Sequence, residues 1–206
     1  MNKTSIRSAL AAAALLAASF LPAAAQDVLS REETLKIAVM ATLQGPAATD
    51  LPLTVDTDLK RGLAGHDGEY GLLILPETKL TADVIGAAGK QPIPVAHLWL
   101  RKLTPIVNGD PVETDKLRMV SVAHDGESFR APLCVLGVRK GAGDGLELVL
   151  FGKSKEPLLA VPLSKTSRQQ ALPIEISAER ESDSGKVRFF LGGKYEATIS
   201  VTELAE

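Results

Sequence analysis

From about residue 51 to the C-terminus the chain alternates apolar and polar side chains in short runs. In Tyr195-Glu-Ala-Thr-Ile-Ser-Val201 the residues Tyr195, Ala197, Ile199 and Val201 share one face, while Glu196, Thr198 and Ser200 share the other. A strand with one dry and one wet face has this period of two. Similar runs fall at 53–57, 70–75, 95–103, 117–123, 131–139, 146–151, 158–163, 174–179 and 187–191. Leu72-Leu-Ile-Leu75 and Leu158-Leu-Ala-Val161 are apolar on both faces, as central or covered strands are. Pro157, Pro162 and Pro173 stand at strand margins, where a missing N–H costs least.

Between the runs lie turn residues: Asp67-Gly68, Asn108-Gly109-Asp110, Asp125-Gly126, Gly141-Ala-Gly-Asp-Gly145, Asp183-Ser-Gly185 and Gly192-Gly193. Such residues supply positive φ angles or side-chain bonds to the backbone. Strands at this spacing without alternating helices predict an all-β fold, an antiparallel β-sandwich of about eight to ten strands.

One segment breaks the pattern. Ser30-Arg-Glu-Glu33 is a capping box, and Leu35, Ala38, Val39 and Leu43 follow at i, i+3, i+4 and i+8, one face of a helix. Thr42 interrupts that stripe with a hydroxyl that needs a partner. Gly45-Pro46 ends the helix, with glycine expected in the left-handed cap. Thr81-Ala-Asp-Val-Ile-Gly86 suggests one further short helical turn.

The first 25 residues read differently again. Lys3 and Arg7 precede an apolar run from Ala9 to Leu21, Pro22 breaks it, and Ala23-Ala-Ala25 offers small residues for cleavage. A basic start, a short apolar middle and a small-residue end make a secretory signal peptide. The expected organisation is a signal peptide at 1–25, a helical segment at 26–50 and a β-sandwich domain at 51–206. Cleavage leaves 21 basic against 25 acidic residues, so the exported protein is mildly acidic. Localisation is expected to be secreted or periplasmic, with no transmembrane segment after signal cleavage. The basic residues are interleaved with acidic ones and form no track for nucleic acid.

Composition narrows the chemistry. One cysteine excludes an internal disulfide framework, and its setting, Ala131-Pro-Leu-Cys-Val-Leu-Gly137, predicts a buried, inert thiol at Cys134. There is no nucleophile elbow, and the glycine-rich stretch at 141–145 leads into a strand, so it reads as a hairpin loop. No cofactor is expected. His66-Asp-Gly-Glu69 and His124-Asp-Gly-Glu127 repeat four residues, but their flanks do not match. If the two turns meet, His66, Asp67, His124 and Asp125 are the candidate metal ligands. Solvated turn carboxylates are the plainer interpretation.

The most informative strand is Val95-Ala-His-Leu-Trp-Leu-Arg101. Ala96, Leu98 and Leu100 share the core face, and His97, Trp99 and Arg101 share the other. That row is the candidate ligand-binding surface, because tryptophan and arginine dominate interface energetics. The competing interpretation packs Trp99 beneath a loop or the N-terminal helix. The functional expectation is a non-catalytic binding or envelope-associated module, recognising an unknown protein or glycan ligand. The alternative is a secreted hydrolase acting on glycan or ester substrates.

Overall fold

A computed structural model describes residues 27–46, 50–124 and 127–205, with the backbone alone for Asp27, His124 and Glu127. The expected signal peptide at 1–25 and the candidate ligand Asp125 lie outside the described residues. The strands are β1 (Asp27–Val28), β2 (Leu63–Asp67), β3 (Tyr70–Pro76), β4 (Ile93–Arg101), β5 (Leu103–Val107), β6 (Asp110–Pro111) and β7 (Arg118–His124). They continue with β8 (Glu127–Lys140), β9 (Leu146–Phe151), β10 (Pro157–Pro162), β11 (Ser164–Lys165), β12 (Ile174–Glu181), β13 (Ser184–Leu191) and β14 (Tyr195–Glu203). Among the described residues two α-helices, α1 (Arg31–Gln44) and α2 (Ala82–Gly86), and two short 3-10 turns, Leu59–Arg61 and Thr114–Lys116, accompany them. Every named pairing is antiparallel.

The strands form two sheets, as a β-sandwich requires. The larger runs β1-β2-β3-β4-β8-β9-β10, and the smaller runs β12-β13-β14-β5-β6 with β11 beside β14. The 14-residue β8 ties the larger sheet together. Its first half pairs with β7 and its second half with β9, while β4 lies along its other edge. The main core lies between the sheets, where Ile74, Leu98, Leu100, Cys134, Leu136 and Leu150 of one face Val187, Phe189, Leu191 and Ile199 of the other.

The larger sheet is covered on its outer face too. Leu73, Leu75, Trp99, Leu133, Val135 and Phe151 form a second apolar cluster with Ala38 and Ala41 of α1 and with Leu51 and Val55. The molecule is thus three layers deep where α1 lies. The apolar run expected as a strand at 53–57 forms one isolated bridge, Thr57 to Glu77, and otherwise crosses the sheet as irregular backbone. Its burial is as expected, but Pro52 and the turn held by Asp58 break its pairing.

The capping box of α1 forms as expected, with the Glu33 amide donating to Ser30 Oγ at 3.3 Å and the Ser30 amide donating to Glu33 Oε2 at 3.1 Å. The Thr42 hydroxyl finds its partner one turn back, on the Ala38 carbonyl at 2.8 Å. Two details differ from the sequence expectation. Gly45 is extended, at φ −70°, because Pro46 disfavours the helical region for the residue before it. The buried face of α1 is Thr34, Ala38 and Ala41, while Leu35, Val39 and Leu43 are exposed. Small side chains let the helix lie close to the sheet, and that proximity outweighs the hydrophobicity of the leucine stripe. The short turn at 81–86 forms as α2, capped by Thr81.

Candidate functional site

The register of the larger sheet arranges its outer face in rows. Ala64, Leu73, Trp99 and Leu133 are successive partners across β2, β3, β4 and β8. Two residues along, His66, Gly71 and Arg101 form the next row across β2, β3 and β4. On the opposite side of the Trp99 row lie Leu75, His97 and Val135. Residues directly paired across a sheet point to one face, so each row is a line of neighbouring side chains.

A cleft of about 560 Å³ opens between α1 and this face. Ala64, Gly71 and Ala131 give its floor room, since each is small where a bulky residue would fill the space. Leu73 and Trp99 make the deep apolar surface, and Ile37 and Met40 of α1 make the wall. Glu33, Lys36, His66 and Arg101 bring charge or polarity to its lining. Such a volume suits a small organic molecule.

Trp99 is 5% exposed. A methyl group built on Gly45 would stand 3.5 Å from the indole ring, so the C-terminal end of α1 lies directly against it. The interpretation that packs Trp99 beneath the N-terminal helix therefore holds. Its indole N–H has no hydrogen-bond acceptor among the described residues. Leaving a buried donor unpaired costs about 1–3 kcal/mol. Arg101, two residues on, is exposed and lies 5.1 Å from the centre of the Phe129 ring. Its guanidinium makes no hydrogen bond among the described residues, although Glu69, paired with Lys102, lies within electrostatic range. Trp99 and Arg101 thus line one cleft.

His97 shares their face but not their cleft. It is largely buried, and burial pulls its imidazole down to about 4 while the charge of Glu77 opposes the shift. Its Nε2 has no partner among the described residues.

His66 and Asp67 diverge, because neighbouring strand residues point to opposite faces. His66 lines the cleft, whereas Asp67 lies 3.6 Å from Arg180. A second hollow, of about 390 Å³, opens there, bordered by His66 and Gly71 as well as Asp67, and Arg180 stands 5.6 Å from the Tyr70 ring centre. Among the described residues no group of three or more histidine, cysteine, aspartate or glutamate side chains is arranged to hold a metal.

The carboxylate in the cleft lining, Glu33, is engaged by the capping box, and the Ser30 hydroxyl and amide hold it below the usual carboxylate range. Cys134, by contrast, is fully buried on the inner face, where desolvation pushes its thiol up to about 12. Among the described residues no helix is long and apolar enough to cross a membrane.

Comparison with family models, with curated proteins and with solved structures finds no match to this chain. Function has to be argued from the cleft. Sequence reasoning found Trp99, Arg101 and His66 separately but missed Gly71, Ala131 and Met40, which shape the space. The available signal was the run of small residues in Leu63-Ala-Gly-His-Asp67 and at Gly71, which leaves room above a sheet.

Proposed function

We propose that the protein is an exported, non-catalytic binding module that holds a small, largely apolar ligand in the cleft beneath α1. The observation that carries this reading is the buried indole N–H of Trp99, which has no acceptor among the described residues and belongs to a side chain lining the cleft. A ligand oxygen that reaches this donor as the side chains over it yield relieves its cost, while the apolar lining supplies affinity through removal of surface from water. The engaged state of Glu33 supports binding over hydrolysis, since acid–base chemistry on a glycan needs a pair of carboxylates across the substrate. Export rests on the leader pattern of residues 1–25, and intact mass of protein recovered from periplasm or medium checks its removal.

Binding is tested with anilinonaphthalene sulfonate as the probe and Trp99, the chain's single tryptophan, as the reporter. The expected result is a saturable, one-to-one change in Trp99 emission that the Gly71→Val variant abolishes. A Cβ at Gly71 meets its nearest neighbours at ordinary contact distances of 3.5 Å and beyond, so valine fills the cleft without a backbone clash. Probe binding indifferent to that substitution retires the reading.

A further inference from the structure

Resting on that reading of the cleft, we infer that its ligand is an amphipathic monoanion, with the apolar body against Leu73 and Trp99 and the anionic head over Gly71, between His66 and Arg101. Three observations converge on this class. The first is the row itself. His66 and Arg101 are both register partners of Gly71, so they stand on either side of a residue without a side chain. At strand spacings of about 4.8 Å their Cα atoms lie roughly 10 Å apart, which leaves space for a carboxylate-sized group above the glycine.

The second observation is the balance of charge. Arg101 lines the cleft, as does Lys36, which is paired with Glu32 at 2.8 Å, and the carboxylate among the lining residues, Glu33, is bound by Ser30. Glu69 lies near Arg101 but pairs with Lys102. Arg101 presents a planar fork of donors that matches a carboxylate, and it makes no hydrogen bond among the described residues. Among the lining residues a cationic head meets only the Glu33 carboxylate, whose Oε2 is already held by the Ser30 hydroxyl and amide.

The third is the indole N–H. Trp99 and Arg101 are two residues apart on the same face of β4, about 6.6 Å along the strand. Both side chains line the cleft, with the indole nitrogen itself closed to solvent. An oxygen of the head, drawn to the mouth by Arg101, is the acceptor that the Trp99 N–H lacks. The deeper space is lined by Leu73, Ile37 and Met40, which offer a hydrocarbon body contact but no hydrogen bond from their side chains.

The test compares three probes with ten-carbon chains, each below its micellar or solubility limit: decanoate, decanol and decyltrimethylammonium. Calorimetry reads affinity, and the single indole ¹H–¹⁵N resonance reads the Trp99 hydrogen bond. Decanoate is expected to bind one per chain and to move that resonance downfield, with the alcohol and the cation at least tenfold weaker. Arg101→Gln is expected to weaken decanoate roughly tenfold or more, the size of a lost charge-assisted bond, and to leave decanol unchanged. Gly71→Val is expected to remove binding of both.

Equal affinity for decanoate and decanol, or indifference of decanoate to Arg101→Gln, overturns the anionic-head assignment. It leaves the apolar cleft standing if Gly71→Val still blocks the probes. Decanoate binding that survives Gly71→Val overturns the placement. Failure of all three probes and of anilinonaphthalene sulfonate removes the binding function together with this inference.

Discussion

The side-chain amide of Gln44 and the backbone of Ala123 close a pair of hydrogen bonds, the Ala123 N–H donating to Gln44 Oε1 at 2.6 Å and Gln44 Nε2 donating to the Ala123 carbonyl at 3.2 Å. Gln44 ends α1, and Ala123 lies on β7, whose one strand neighbour among the described residues is β8. The glutamine thus occupies the open edge of β7 as a further strand residue would. At the other end of the helix, the Arg31 guanidinium donates to the Lys60 carbonyl. These two ties fix the angle at which α1 roofs the cleft.

Gln44→Ala therefore loosens the roof. The loss of two partly exposed hydrogen bonds is expected to cost about 1–2 kcal/mol and to lower the melting temperature by several degrees. Trp99 emission should shift to the red and become accessible to iodide, because the indole lies under this end of the helix. A variant as stable as the parent, with unchanged quenching, would show that the apolar contacts of α1 hold the helix alone.

The two faces of α1 separate by substitution. Leu43 is 76% exposed, so Leu43→Lys should change stability by no more than about 0.5 kcal/mol. Ala38 is fully buried against the sheet, and Ala38→Leu should overpack the contact at a cost of about 1–3 kcal/mol. Urea unfolding of the two variants measures both. The reverse order of costs would mean that the leucine stripe is the buried face after all.

That inversion illustrates what the sequence made legible and what it hid. Alternation places Ala96, Leu98 and Leu100 inside and His97, Trp99 and Arg101 on the other face, and the structure agrees, because a strand's period of two leaves no other choice. The helix offers two usable faces, and apolar content favoured the wrong one. Ala38 and Ala41 win because they permit close approach, a property of size that depends on what lies opposite. The strand at Leu63–Asp67 escaped detection for a related reason: its Ala-Gly-His core has weak strand preference. β5 was hidden by Pro105, although Leu103, Thr104 and Pro105 pair with Glu203, Thr202 and Val201 of β14. The cleft was not legible at all, since β2, β3, β4, β8 and α1 meet there only through register and docking.

Cys134 serves as a reporter of global opening. It lies in β8 opposite Leu98 of β4, is 0% exposed, and has its thiol pushed up to about 12 by desolvation. Because thiolate is the reacting form, labelling by a disulfide reagent at pH 8 should be slow in the native protein and fast in denaturant. The native rate should follow unfolding stability, rising in Ala38→Leu about tenfold for each 1.4 kcal/mol of destabilisation. Rapid native labelling would indicate a local opening of the sheet near residue 134.

Acid should weaken the fold through His97 before the carboxylates begin to protonate. The imidazole falls from an ordinary value of 6.5 to about 4 in the folded protein because burial disfavours its charged form. Between those two values the unfolded chain binds a proton that the native protein does not. Stability from this group is therefore unaffected above about pH 7, declines as pH falls below 6.5, and levels off below 4. A shift of this size corresponds to about 3 kcal/mol in full, of which about 2 kcal/mol is lost by pH 5. Among the described residues Nε2 has no partner to stabilise the added proton, and Glu77 supplies only a partial opposing attraction. Urea unfolding at pH 7.5 and pH 5 should show this loss in the parent and much less of it in His97→Leu. Comparing the two proteins cancels the contributions of every group other than residue 97. An identical pH response in both would mean that His97 is hydrated or paired in solution, and its burial would then not control the acid sensitivity.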